Sequence, residues 1–171
     1  MSDKMPRLTE ALVAHAADLR YEDLSPETIN AAKTFIMDGI AVGIAGSGPQ
    51  VPLNKTVRDS AHTLGSGCGT DARVWVTGER LHASSAAMVN GFQIHNQEFD
   101  CVHMPAVVHP MAVVLSSLVT AAEQRGGVDG KQLITAVVIA VDVAALIGIS
   151  GRAPMRFFRP AMCGALGAVA G

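Results

Sequence analysis

The 171-residue chain holds 49% hydrophobic residues, only 16% charged residues and a formal net charge of −2. It lacks the basic footprint of a nucleic-acid binder, and one Trp with one Tyr offers few platforms for base stacking. So little charge leaves little polar surface, and part of the apolar surface is expected to meet another chain or a further part of the same one.

The length suits a single domain, since a chain near this size buries roughly 70% of its unfolded surface. Cys68, Cys101 and Cys163 lie far apart with no CxxC pair. Neither a zinc knuckle nor a cysteine-held iron–sulfur cluster is expected; each cysteine reads as a small buried hydrophobe in a reducing, cytoplasmic setting. The N-terminus leads into an amphipathic stretch rather than a continuous apolar run, so no signal peptide is expected.

In chain order, the first helix is expected from about Thr9 to Leu19, with Leu12, Val13, Ala16 and Leu19 on one face. Ser25-Pro26-Glu27 starts the second: Ser caps, Pro suits the first helical position, and Glu complements the dipole. That helix carries Ile29, Ile36 and Ile40 and is expected to dissolve at Gly43, Gly46 and Gly48. A third helix covers about Pro52 to Leu64, and Arg73 to Gly78 alternates as one short strand. Helices follow at Ala83 to Gln97, Pro110 to Arg125, and from an Asp129 cap to about Ile149. The last begins at Pro160 and runs apolar to Gly171. The expected class is all-α, with at most one short strand near Arg73–Thr77.

Leu133 to Ile149 is apolar enough to raise a membrane span. Asp142 near its middle would cost roughly 3 kcal/mol in a bilayer, and a doubly buried core helix reads the same way. The core helix is the expectation, with no membrane partner.

His95, Glu98, Asp100, His103 and His109 fall within a short stretch of this charge-poor chain. Carboxylates and imidazoles together supply general acids and bases whose pKa values burial and neighbours can set, as proton abstraction, dehydration or decarboxylation requires. The structural alternative is a set of residues tying down a buried loop. A metal site is the chemical rival: His95 and Glu98 share a helix face at i, i+3, and His103 or His109 completes a ligand set, although no HExxH motif fixes it. The expectation is no metal and no cofactor. Arg152, Arg156 and Arg159 precede a helix start, where planar guanidinium forks and backbone N–H groups suit a polycarboxylate. The alternatives are a solvated loop or arginines paired across an interface.

The run Asn90-Gly-Phe-Gln-Ile-His-Asn-Gln-Glu98-Phe-Asp100-Cys-Val-His103, closing in Val108-His109-Pro110, resembles the "NG…H…DFDDTH…HPG" signature of the MmgE/PrpD family. Glu123-Gln-Arg-Gly, Gly130-Lys-Gln-Leu-Ile, the early Leu19-Arg-Tyr-Glu-Asp-Leu-Ser-Pro-Glu and Met37-Asp-Gly-Ile-Ala-Val-Gly follow the family's order. The resemblance implies a helical main domain, of which residues 1–171 are an incomplete part, a second α+β domain from later sequence, and a homodimer. It also implies cofactor-independent chemistry on di- or tricarboxylates: methylcitrate dehydration, cis-aconitate decarboxylation or epimerisation of an amino-dicarboxylate. The family's first signature Asp, its His before Pro and a later His map to Glu98, His109 and Arg159. The sequence departs from the pattern at Glu98, which is one methylene longer, at Cys101 and Val102, and at Arg159, a permanent cation in place of imidazole.

Glu98, Asp100, His103 and His109 are therefore the candidate catalytic residues, and Arg159 and His95 the candidate substrate-binding ones. The expected function is the N-terminal part of a lyase or isomerase acting on a small polycarboxylate. The alternative is a non-catalytic helical module that dimerises or docks onto a separately encoded partner through its apolar faces.

Overall fold

The structure, a computed structural model, describes residues 7–151 and 158–171; the expected anion-binding residues Arg152 and Arg156 lie outside the described residues. Seven helices carry these residues: α1 (Leu8–Asp18), α2 (Pro26–Gly46), α3 (Asn54–Leu64), α4 (Ala83–His95), α5 (Pro110–Gln124), α6 (Gly130–Ser150) and α7 (Arg159–Ala170). The all-α class holds. The stretch read as a strand contributes only β1 (Ala72–Arg73), paired antiparallel with β2 (Arg80–Leu81) in the register Ala72 to Leu81. Beyond Arg73 a side chain takes over from the ladder: Asn90 Oδ1 accepts from Trp75 N–H and its Nδ2 donates to the Arg73 carbonyl, both at 2.9 Å.

Sequence cues for helix starts work as expected. Ser25 Oγ accepts from Thr28 N–H with Pro26 at the first helical position. Asp129 Oδ1 accepts from Gln132 N–H while Gln132 Oε1 accepts from Asp129 N–H, a reciprocal capping box. The end of α2 differs. Instead of dissolving at Gly43 it runs to Gly46, and a Cβ on Gly43 would stand 2.8 Å from the Trp75 ring. The glycine is there for close packing inside a helix. The Asn54 and Asn96 amides then donate to the Gly46 carbonyl, each at 2.8 Å, satisfying a group the helix end leaves bare.

α5 is the central element. It packs on α2, α4, α6 and α7, and Met111, Val114, Leu115 and Leu118 join Val137 and Ala140 of α6 in the main core. Full burial of each large side chain stabilises by about 1.5–3 kcal/mol. A second cluster gathers Ala61, Val74, Leu81 and Val89 under the hairpin, and a third sets Ala106 and Val108 against Ala144 and Cys163. Cys163 is thus the buried hydrophobe expected, whereas Cys68 is exposed and Cys101 half-buried.

By length and composition α6 could cross a membrane. In the fold it buries Ile134, Val137, Ala140, Val143 and Ala144, and its Asp142 lies 3.0 Å from His15 Nε2 of α1. On the outside, Phe35, Met37, Ile40 and Ile44 of α2 and Met162, Leu166 and Val169 of α7 are exposed, in line with the shortage of polar surface.

Candidate functional site

The polar stretch sits between the end of α4 and the start of α5. The two helices come close at Gly91, where a Cβ would stand 2.9 Å from the Ala112 carbonyl. α4 stops at His95, and the chain reverses through Glu98, whose φ of +58° lies in the left-handed region. A non-glycine residue there costs roughly 1–2 kcal/mol. The reversal drops Asp100 under the helix end, its side chain fully buried. The chain then forms a small hairpin: His103 N–H donates to the Val108 carbonyl at 2.9 Å, and Val107 N–H to that of Met104 at 3.2 Å. Pro105 suits the second position of that turn, and the branched Val107 is held at φ +54°. Pro110 at the first position of α5 then fixes His109 at its N-terminus.

Asp100 is shared by two imidazoles. Its Oδ1 lies 3.0 Å from His95 Nδ1 and its Oδ2 3.3 Å from His109 Nδ1. The rings meet edge to face with centroids 4.8 Å apart. Glu98 is exposed at the rim, 3.6 Å from His95 Nε2. Asp100 Oδ2 and His109 Nδ1 are both buried, and neither makes a hydrogen bond of good geometry. One ligand atom from each of His95, Asp100 and His109 lies within 4.8 Å of the others, so among the described residues these three are the donors that could hold a metal ion. His95 and His109 line a groove of about 450 Å³ together with Ser84, Ser117, Phe158 and Pro160. Small-molecule sites span roughly 300–1,000 Å³. With Nδ1 of His109 buried against Asp100, Nε2 is the nitrogen left for the groove.

His103 does not join this group. Its Nδ1 accepts from Ala106 N–H at 3.2 Å, and the ring borders a separate apolar groove beside Phe35, Cys101, Val141 and Asp142. Burial pushes the Cys101 thiol up, and the nearby Asp100 carboxylate adds to the effect. Arg159 Nη1 donates to the Gly148 carbonyl at the end of α6, at 3.1 Å, while its neighbours Phe158 and Pro160 line the His95–His109 groove.

Residues 10–171 match the MmgE/PrpD N-terminal domain. The chain belongs to the MmgE/PrpD family. It is 30% identical to the cis-aconitate decarboxylase of Mus musculus over 95% of its own length and 34% of that protein. The Homo sapiens enzyme is 28% identical over the same shares, and that of Aspergillus terreus is 28% identical over 82% of this chain and 29% of its own length. The chain thus spans about a third of the length of the curated relatives it matches.

Within this MmgE/PrpD chain, the structure brings together His95, Glu98, Asp100 and His109 of the six residues singled out from sequence, sets His103 apart, and anchors Arg159 at the end of α6 between two residues of the groove lining. Sequence reasoning missed the amides. Asn90 and Asn96 hold the hairpin and the end of α2 around the same α4 segment, and Asn90 is completely buried. The one available signal was a polar residue at a helical core position, Asn90 standing next to Val89 in an apolar stretch.

Proposed function

We propose that this chain is the front part of a carboxylate lyase of the MmgE/PrpD type, with a di- or tricarboxylate bound in the groove between α4 and α5. Cis-aconitate decarboxylation, the activity named for its relatives, is the specific reading. The single observation that carries the proposal is the buried Asp100 between two imidazoles that border a ligand-sized groove. Such a carboxylate fixes the tautomer and orientation of His109, so that Nε2 can give or take a proton at the substrate. Glu98 at the rim supplies the second carboxyl group for acid/base work. His95 and Arg159 serve the substrate's carboxylates, Arg159 through the N–H groups of its fork beyond the one held by Gly148. The α+β domain and a second copy of the subunit complete the enzyme and cover the exposed apolar faces of α2 and α7.

The test is turnover of cis-aconitate and 2-methylcitrate by a family-length protein that contains this chain. His109→Gln should lower kcat by about a hundredfold or more, the low end for loss of a general acid or base. Unchanged turnover would reject the assignment. The exposed faces of α2 and α7 also favour a second reading, a docking module without its own chemistry. Partner-dependent assembly with no turnover of either substrate would establish that reading instead.

A further inference from the structure

We infer that His95, Asp100 and His109 form a binding site for a divalent first-row metal ion of the zinc type, and that the ion inhibits the acid/base chemistry of the groove. The inhibition rests on the functional reading above; the binding does not.

The starting point is a local imbalance. Asp100 Oδ2 and His109 Nδ1 face each other at 3.3 Å, both buried, with no hydrogen bond between them. The contact is too poorly aligned to be a good hydrogen bond, and buried polar atoms left so weakly partnered are costly. A proton on Nδ1 can serve the pair only through this long, bent contact. A metal ion satisfies both without linearity, because it needs only an angle near tetrahedral.

The spacing fits that need. Bonds of about 2.0–2.1 Å in a tetrahedral site hold neighbouring donors roughly 3.3–3.4 Å apart. The observed 3.3 Å between His109 Nδ1 and Asp100 Oδ2 falls in that range, and His95 Nδ1 stands 3.0 Å from Oδ1 of the same carboxylate. All three ligand atoms lie within 4.8 Å of one another, so a modest turn of one imidazole closes the set. Each histidine is about a third exposed or less (35% and 27%), which leaves the rings room to turn. Two nitrogens and one carboxylate oxygen form a borderline donor set that suits zinc, cobalt or nickel and disfavours magnesium, which demands oxygen ligands. Three protein donors leave a fourth position toward the groove, which gives the ion its path in.

Coordination through Nδ1 would pull His109 away from the orientation in which Asp100 fixes its tautomer. The ion would also occupy the groove floor where substrate carboxylates are proposed to sit. Metal and substrate should therefore exclude one another.

The experiment is calorimetric titration of the chelator-treated chain with zinc chloride, with magnesium chloride as a control and cobalt(II) absorption as a geometric readout. One zinc per chain, no comparable magnesium binding and a tetrahedral cobalt spectrum are expected. His95→Asn, His109→Asn and Asp100→Asn should each weaken zinc at least tenfold, whereas His62→Asn, at the exposed His62–Glu79 pair, should leave it unchanged. Circular dichroism reports whether each variant folds; if Asp100→Asn does not, the two histidine variants decide. Absence of stoichiometric zinc binding, or binding that survives His109→Asn, overturns the inference. In the family-length protein, zinc should inhibit turnover competitively with substrate. Stoichiometric binding without any turnover would remove the functional reading and leave the metal site standing. Turnover that zinc leaves untouched at saturating occupancy would overturn the inhibitory role.

Discussion

The loop between α4 and α5 has two sides that differ sharply for so short a stretch. One turns Asp100 inward between His95 and His109, beside a groove; the other turns His103 and Cys101 toward an apolar cleft between α2 and α6. Both sides carry imidazole, but only one has a buried carboxylate to orient it. On the other side His103 accepts from its own loop's backbone, and the thiol beside it is held neutral by burial. A dense run of polar residues is therefore not itself a site. The placement of one fully buried acid separates the two imidazoles it faces from the one held by backbone.

The contrast can be broken most severely at Asp100. Replacing it with Asn in a family-length protein should reduce kcat by about a hundredfold to ten-thousandfold, the span for groups that govern proton transfer. A smaller loss than for His103→Ala would reverse the proposed roles of the two sides. Next comes Gly91→Ala, whose Cβ would press on the Ala112 carbonyl at 2.9 Å. It should destabilise the fold by about 1–3 kcal/mol, measured by denaturant titration, because the helices carrying His95 and His109 are forced apart. His103→Ala should cost less than about tenfold in turnover, below what a general acid or base supplies, with its main effect on loop stability. The mildest probe is alkylation at neutral pH. Exposed Cys68 should label first, while Cys101 lags because burial raises its thiol pKa and the thiolate is the reacting form. Equal rates would show that the apolar cleft is wetter than the structure has it.

Most of the architecture was legible in advance because its signals are local. Ser25-Pro26 and Asp129 announce helix starts through chemistry contained in four residues, and both starts fall where expected. The exception at Gly43 is instructive. A glycine that ends a helix and one that lets a Trp ring approach look alike in a single sequence, and only Trp75, far along the chain, distinguishes them. The strand near Arg73 shrank for a related reason: Asn90, on a later helix, supplies the partners a neighbouring strand would have given. For the candidate site, the density of acids and imidazoles marked the loop in which the structure groups His95, Glu98, Asp100 and His109. Which of them converge depended on a left-handed turn at Glu98 and a hairpin at Val107, conformations that neither residue type advertises. Arg159 could not be placed by charge alone, since a helix end and a substrate both attract a guanidinium.

The attachment of α1 has a consequence of its own. None of its described side chains is buried, and it is fastened to α6 by the His15–Asp142 pair and, through the turn Tyr21–Asp23, by Lys131, which reaches Glu22 at 2.9 Å and lies over the Tyr21 ring. These clasps are polar, one part-buried and the other exposed, so the N-terminal arm should lift from the body without the core melting, and its amides should exchange with deuterium well before those of α5. The Lys131 hydrogen bond holds the Glu22 carboxyl below its ordinary pKa, so this clasp is intact above the usual glutamate range and weakens as acid titrates the group. Acid below the usual glutamate range should accordingly lower the arm's protection factors before those of α5, once the intrinsic slowing of exchange with falling pH is allowed for.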